Sequence, residues 1–315
     1  MKDFRNIIFV LIVITFSLQM FLMESDKKSE ESKEASKPIV AVSTFSIYDI
    51  TKHIAGESVE IVNILPFGVD AHSFEPTPKL MVALAKSKLV IYSGAGLEPW
   101  TQGFEFVSRV VDMSTRVKLR ELQSDEFDRH DHHDHQCAHS KIDPHYWLDI
   151  NNMILATNVI TLELIKILPQ NRELYAKNAQ KYMNMLETLD AEYKKNLSSC
   201  RIDTIITNHN AFSYLSKRYG FHVEALSGFS PDTQPSAKDI TRLMKHIEKE
   251  GVSTIFFESF VSDRVMKSIA NDISVKVDVL QPLGNITADE ANANKTYEDI
   301  MRVNLNKLSK ALECR

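Results

Sequence analysis

Three histidines stand far apart in the chain: His72 in V-D-A-H-S-F-E-P, His145 in I-D-P-H-Y-W-L-D and His209 in I-I-T-N-H-N-A-F. Each lies just past a strand-like run or in a proline-flanked turn, in a polar setting of its own. Three neutral imidazoles gathered on one point suit a borderline-soft cation such as zinc, whose tetrahedral habit leaves a fourth position for a side chain or water. Taken singly, each is more simply a structural or surface residue; taken together, they ask for a fold that brings three distant segments to one place. His53 and His246, on helical faces, and His222, at the start of a strand, keep the structural reading.

The elements that would do the positioning are Val/Ile-rich runs alternating with amphipathic patterns. Ile39 to Ser43, Val59 to Leu65, Leu89 to Ser93 and Val107 to Met113 form one series; Thr204 to Thr207, His222 to Leu226, Thr254 to Phe257 and Val275 to Leu280 form a second. Continuous apolar strands separated by helices predict parallel sheets covered on both faces, hence an α/β protein of two lobes. Length agrees, since 315 residues exceed what one core usually organises. Thr77 before Pro78, and Ser236 three residues before Asp239, read as helix N-termini. Between the series, Tyr175, Ala179, Tyr182, Leu186, Leu189 and Tyr193 fall at three- and four-residue steps and predict one long, stiff connecting helix over 171–198. An N-terminal lobe at 38–170 and a C-terminal lobe at 199–315 follow. Ligands of open α/β sheets bind beyond the carboxyl ends of strands. His72, His209, Glu258 and Gln281 all follow such ends, and Tyr146 and Trp147 would wall the cleft between the lobes.

Composition narrows the function. A net charge of −5 without a basic stripe argues against nucleic acid as a partner. There is no H-E-x-x-H, no G-x-S-x-G and no phosphate-cradling glycine loop, so an enzyme is not expected. The competing catalytic reading is a zinc hydrolase with Glu75, Glu98 or Glu258 as base. At the N-terminus Lys2 and Arg5 precede the apolar run from Ile7 to Met23, so 1–23 reads as a signal peptide or membrane anchor and 24–37, charged and serine-rich, as a disordered tether. That places the protein in the periplasm or another extracytoplasmic space. No cysteine near the end of the run is available for acylation as a lipoprotein. Of the three cysteines, Cys200 and Cys314 would pair in an oxidising compartment and pin the C-terminus to the second lobe, the alternative being two unrelated thiols. Cys137 lies in the segment 128–139, D-R-H-D-H-H-D-H-Q-C-A-H, which has no apolar residue to build a core and reads as an exposed loop.

Several ordered motifs carry a resemblance over nearly everything from Ile39 onward. They are P-F-G-V-D-A-H-S-F-E-P-T-P from Pro66, S-G-A-G-L-E-P-W from Ser93, D-P-H-Y-W-L-D from Asp143, T-N-H-N-A-F-S-Y-L-S-K-R-Y-G from Thr207, F-F-E-S from Phe256 and Q-P-L-G from Gln281. In these the chain resembles the metal-type substrate-binding proteins of ABC importers, and in particular their zinc-uptake branch. The resemblance implies two α/β lobes joined by one long helix and a monomer that holds Zn²⁺ in the cleft and delivers it to the membrane subunit of an ABC permease. It puts the metal ligands on His72, His145 and His209. Manganese-type relatives usually have Glu at the third position, so His209 favours zinc, although a manganese receptor or an adhesin of the same fold is the alternative. The departure is Gln281, where many relatives have Asp; the fourth position then falls to water, to Gln281 itself, or to Glu75 or Glu258. By the same likeness His130, His132, His133, His135 and His139 form a histidine-rich loop that would take a second metal weakly.

Overall fold

The computed structural model describes residues 37–121, 142–227, 236–258 and 264–315. The N-terminal apolar run, residues 24–36 of the tether and the histidine-rich segment 128–139 lie outside the described residues.

The apolar runs pair in parallel in both lobes. The N-terminal lobe comprises β1 (Ile39–Val42), α1 (Phe45–Ala55), β2 (Glu60–Asn63), α2 (Pro78–Lys86), β3 (Leu89–Tyr92) and β4 (Arg109–Asp112), with strand order β2-β1-β3-β4. Thr77 caps α2 as expected, its side chain accepting from the Leu80 amide ahead of Pro78 in the first turn. Two short strands, β5 (Arg120–Glu121) and β6 (Ile142–Asp143), then pair antiparallel. Two residues carry no periodicity, so no sequence pattern marks them. After α3 (Ile150–Ile167) and α4 (Arg172–Asn196), the C-terminal lobe runs through β7 (Thr204–His209), α5 (Ser213–Tyr219), β8 (His222–Ser227), α6 (Ala237–Glu250), β9 (Thr254–Phe257), α7 (Arg264–Ile273) and β10 (Lys276–Val279). Its sheet is also all parallel, ordered β10-β9-β7-β8. Read from the other edge, this is the N-terminal order repeated. Helices α8 (Ala288–Asn292) and α9 (Tyr297–Ala311) close the chain.

All eight long strands lie within two residues of their expected ends; β1, β3 and β7 are apolar runs buried along most of their length, whereas the edge strands β2, β4 and β10 are mostly half-buried. The two lobes do not have a core each, although Ala41 and Val90 of the first sheet pack in a smaller cluster with Ile64, Leu84 and Trp100. Val40 and Ile91 of one sheet, Ile206 and Phe256 of the other, and Met153, Ile160 and Leu164 of α3 belong to one contiguous buried cluster. Among the described residues α3 is long and apolar enough to cross a membrane, but more than half of its most apolar stretch is buried in the protein. It is a core helix.

The connecting helix α4 has 25 residues, a span of about 37 Å at ~1.5 Å per residue. Its buried face is Tyr175, Ala179, Tyr182, Leu186, Leu189 and Tyr193, the set expected from the periodicity. Three phenols on that face need polar partners once buried. Tyr175 pairs with Ser58 at 2.6 Å, Tyr182 donates to Asp49 on α1 at 2.7 Å, and Tyr193 donates to the Met301 carbonyl on α9 at 2.7 Å. One helix thus fastens to both lobes along its length.

Cys200 and Cys314 form a disulfide 114 residues apart in sequence, and the Arg201–Glu313 ion pair lies beside it. It joins the residue run entering β7 to the end of α9. A loop of that size restricts the unfolded chain by on the order of 4–5 kcal/mol in the chain-entropy account. Reduction, or Cys200→Ser, should therefore lower the melting temperature by about 10 °C with unchanged far-ultraviolet circular dichroism. A shift below about 2 °C would show that packing of α9 alone holds this end.

Candidate metal centre

Two of the three histidines are presented by the same local device. Asp70 accepts the His72 amide at 2.8 Å, and Asp143 accepts the His145 amide at 2.9 Å. In each D-x-H the carboxylate folds back on the backbone two residues on, fixing a turn that projects the imidazole. Asp143 does more. Its Oδ1 also meets His145 Nδ1 at 2.8 Å, which places the proton on Nδ1 and leaves the Nε2 lone pair for the cavity. The Asp143 side chain further accepts the Ser213 hydroxyl, and its backbone carbonyl accepts Tyr214 Oη at 3.0 Å, both from α5 of the other lobe.

His209 needs no turn, since β7 runs to His209 itself and delivers the ring at the strand's carboxyl end. Its Nδ1 faces Glu258, the first residue after β9. Strands β7 and β9 are neighbours from which the chain departs in opposite directions, the kind of crevice where α/β sheets bind ligands. The corresponding crevice of the N-terminal lobe, between β1 and β3, is filled by the protein's own Glu98. That carboxylate accepts Ser43 Oγ at 2.5 Å and the Ser93 and Gly94 amides at 2.8 and 2.9 Å. Gly94 has φ 76°, and a Cβ there would stand 2.0 Å from Asp112 Oδ1.

The rings converge. Centroids lie 5.6 Å (His72–His145), 6.2 Å (His72–His209) and 5.4 Å (His145–His209) apart, and one nitrogen from each falls within 4.8 Å of the others. They border a small cavity of about 20 Å³ shared with Asp70, Trp147, Glu258 and Asn285. Trp147 walls it, held by its indole N–H on the Pro282 carbonyl at 2.6 Å. Gly284 lets the backbone approach that ring, where a Cβ would sit 3.2 Å away.

Burial sets the charge states. It pushes His72 well below the usual histidine value of 6.5 and His209 down to about 3, the neighbouring imidazoles adding to both. Burial also pushes Glu258 up to about 8, against the opposing influence of His145 and a hydrogen bond from Asn208. Near neutral pH His72 and His209 are thus unprotonated. His209 Nε2 is buried with no hydrogen-bond partner, a cost that a cation would remove.

The other described histidines stay apart from this cluster. His53 bonds the Asp49 carbonyl at 2.8 Å and packs on Tyr182, His246 lies 4.0 Å from Glu224, and His222 is exposed on β8. Of the fourth-position candidates, Glu258 is brought to the rings. Glu75 is exposed and absent from the cavity wall. Gln281 also lies outside that wall, its amide donating to Glu290 at 2.8 Å and its backbone bonded to Asn304. Sequence reasoning passed over Asp70, Asp143 and Asn285; the repeated D-x-H was the available sign for the first two.

The lobes are tied beside the cluster as well as through α4. Arg218 of α5 donates to Asp190 on α4 at 2.7 Å and to Asp149, the N-cap of α3, at 3.3 Å. Arg120 donates to the Ser213 carbonyl at 2.8 Å. One short helix therefore grips residues on both sides of His145.

Comparison with known proteins agrees with this architecture. The profile of the family described as zinc-uptake complex component A, periplasmic (ZnuA), matches residues 40–311. The high-affinity zinc uptake system protein ZnuA of Bacillus subtilis is 32% identical over 293 residues, covering 91% of each chain. The zinc-binding lipoprotein AdcA of Streptococcus pneumoniae is 28% identical across 89% of this chain, which spans 57% of AdcA. Among solved structures, the Zn(II)-bound ZnuA-like domain of that AdcA superposes with a TM-score of 0.73 at 25% identity, covering 88% of this chain and 100% of the domain. The laminin-binding protein Lmb of Streptococcus agalactiae, described as an adhesin with metal-transporting activity, gives 0.78 at 28% identity over 88% and 100%. The chain belongs to the ZnuA family of periplasmic zinc-uptake components.

Proposed function

We propose that this protein is an extracytoplasmic zinc receptor that captures one Zn²⁺ on His72, His145 and His209 and passes it to the membrane subunit of an ABC permease. The observation that carries this reading is the convergence of three imidazoles from distant segments, one with a buried, unpartnered Nε2. The zinc-uptake and Zn(II)-bound relatives support it. Three nitrogen donors favour zinc over manganese, which prefers oxygen. Glu258, against Nδ1 of His209, is the group we take to orient that ring, and the fourth position we leave to water. We take 1–23 as the signal or anchor and His130, His132, His133, His135 and His139 as a weaker capture loop, on composition alone. A hydrolase is disfavoured because no carboxylate stands poised as a base over an open face: Glu98 is wrapped in donors, Glu75 is outside the wall, and Glu258 is buried against a ligand.

Calorimetric titration of zinc with manganese as competitor tests the reading. One tight zinc site is expected, and His72→Ala, His145→Ala and His209→Ala should each weaken it by more than about 100-fold, beyond the 10–100-fold typical of residues that only support a ligand. Preference for manganese, or a tight site surviving any of the three changes, would refute the assignment.

Acid–base behaviour of the metal-free protein gives a second test. The stability associated with neutral His209 is present above 6.5 and is lost as pH falls toward about 3; the depressed His72 acts in the same direction. Protonated Glu258 acts oppositely, its contribution full below 4.5 and lost as pH rises through about 8. Protonated Glu98, which burial pushes up to about 7, acts in the same sense as Glu258, so two groups oppose two between 4.5 and 6.5: thermal stability should be level across that range and fall on either side of it, steeply below 4.5. A melting temperature flat from pH 4 to pH 8 by calorimetry would contradict these charge states.

A further inference from the structure

The three histidines are not held alike. His145 is fastened through its ring to Asp143, and His209 has Glu258 against its Nδ1. The His72 ring has no hydrogen-bond partner among the described residues, and it is also the most exposed of the three. Its position is inherited from the backbone, and that backbone is held from the opposite lobe. Asn285, between β10 and α8 and only 3% exposed, donates from Nδ2 to the carbonyls of Pro66 and Val69, both at 2.7 Å. Two carbonyl acceptors require the amide nitrogen on this side, and Asn285 Oδ1 correspondingly accepts the Ile286 amide at 2.9 Å. The Gly68 amide returns the contact on the Ile286 carbonyl at 2.8 Å. The turn gripped this way ends at Val69, one residue before the Asp70 that orients His72.

We infer that Asn285 is a positioning residue for metal binding, holding the turn at Pro66–Val69 so that His72 of one lobe completes the pair His145 and His209. The inference rests on the zinc-receptor reading. It assigns Asn285 no contact with the ion. Its two donated bonds set how readily the His72 arm leaves, and hence how fast metal is released, while His145 and His209 stay within the grip of α5 and β7.

The experiment compares Asn285→Asp, which keeps the shape but has no N–H to give, with Asn285→Ala, in the otherwise unchanged protein and in a His72→Ala background. Zinc affinity is read by chelator competition and release by stopped flow. In the unchanged background both substitutions should weaken zinc binding by about 10- to 100-fold, mainly through faster release. In the His72→Ala background the residual affinity should change by less than about 2-fold. Affinity retained by Asn285→Asp, or equal losses in the two backgrounds, would overturn the inference, the latter showing general loosening of the fold. Should neither variant fold, exchange of the Gly68 amide in the unsubstituted protein decides: zinc should slow it by about 10-fold or more through reduced local opening, and an unchanged rate would reject the proposal. Absence of tight zinc binding in the unsubstituted protein would instead remove the receptor reading, and this inference with it.

Discussion

A fully buried polar side chain must have its hydrogen bonds met inside the protein, and Asp143 is 0% exposed. Its donors come from two lobes: the amide and ring of His145 on one side, Ser213 of α5 on the other. Drawing the lobes apart at this point would strip a buried polar group of a partner and separate Arg218 from Asp149 in the same movement. The local geometry of His145 and the closeness of the lobes are therefore one constraint. With α4 bonded to both lobes and a single core beneath them, the molecule is built to resist wide opening. Any looseness is left to short segments at the cavity rim.

The two lobes share a strand order but use it differently. Each provides a crevice between its first and third strands, ringed by backbone amides and small hydroxyl side chains. In one, the Glu98 carboxyl, which burial pushes up to about 7, meets those donors from the chain itself. In the other, His209 and Glu258 face each other and a buried nitrogen is left without a partner. The first arrangement lowers the energy of the free protein; the second leaves a deficit that only a ligand corrects. Division of labour within a duplicated topology thus comes down to which crevice is left unsatisfied.

Much of this was legible beforehand. The eight strands and the face of α4 follow from period and β-branching, signals that act locally and survive tertiary packing. The three histidines were legible because each lies just past a strand-like run or in a proline-flanked turn, where α/β sheets hold ligands. Less was readable where an answer depended on partners distant in sequence. Gln281 and Glu258 both follow strands, and nothing local distinguishes the one that bonds Glu290 from the one that meets His209. Asn285 was invisible for the same reason, since its partners lie 219 and 216 residues earlier. The small ladder of β5 and β6 is fixed by its neighbours rather than by its own residues.

Those separations bear on the order of assembly. The Trp147 carbonyl accepts the Tyr297 hydroxyl across 150 residues at 2.7 Å, and the grip of Asn285 on Pro66 spans still more. Contacts so remote in sequence form late, after the chain between them has been made and collapsed. A nascent chain led by its N-terminus presents His72 and the turn that carries it well before Asn285, which holds that turn from the other lobe. The three-histidine site is thus complete only once nearly the whole chain has been made.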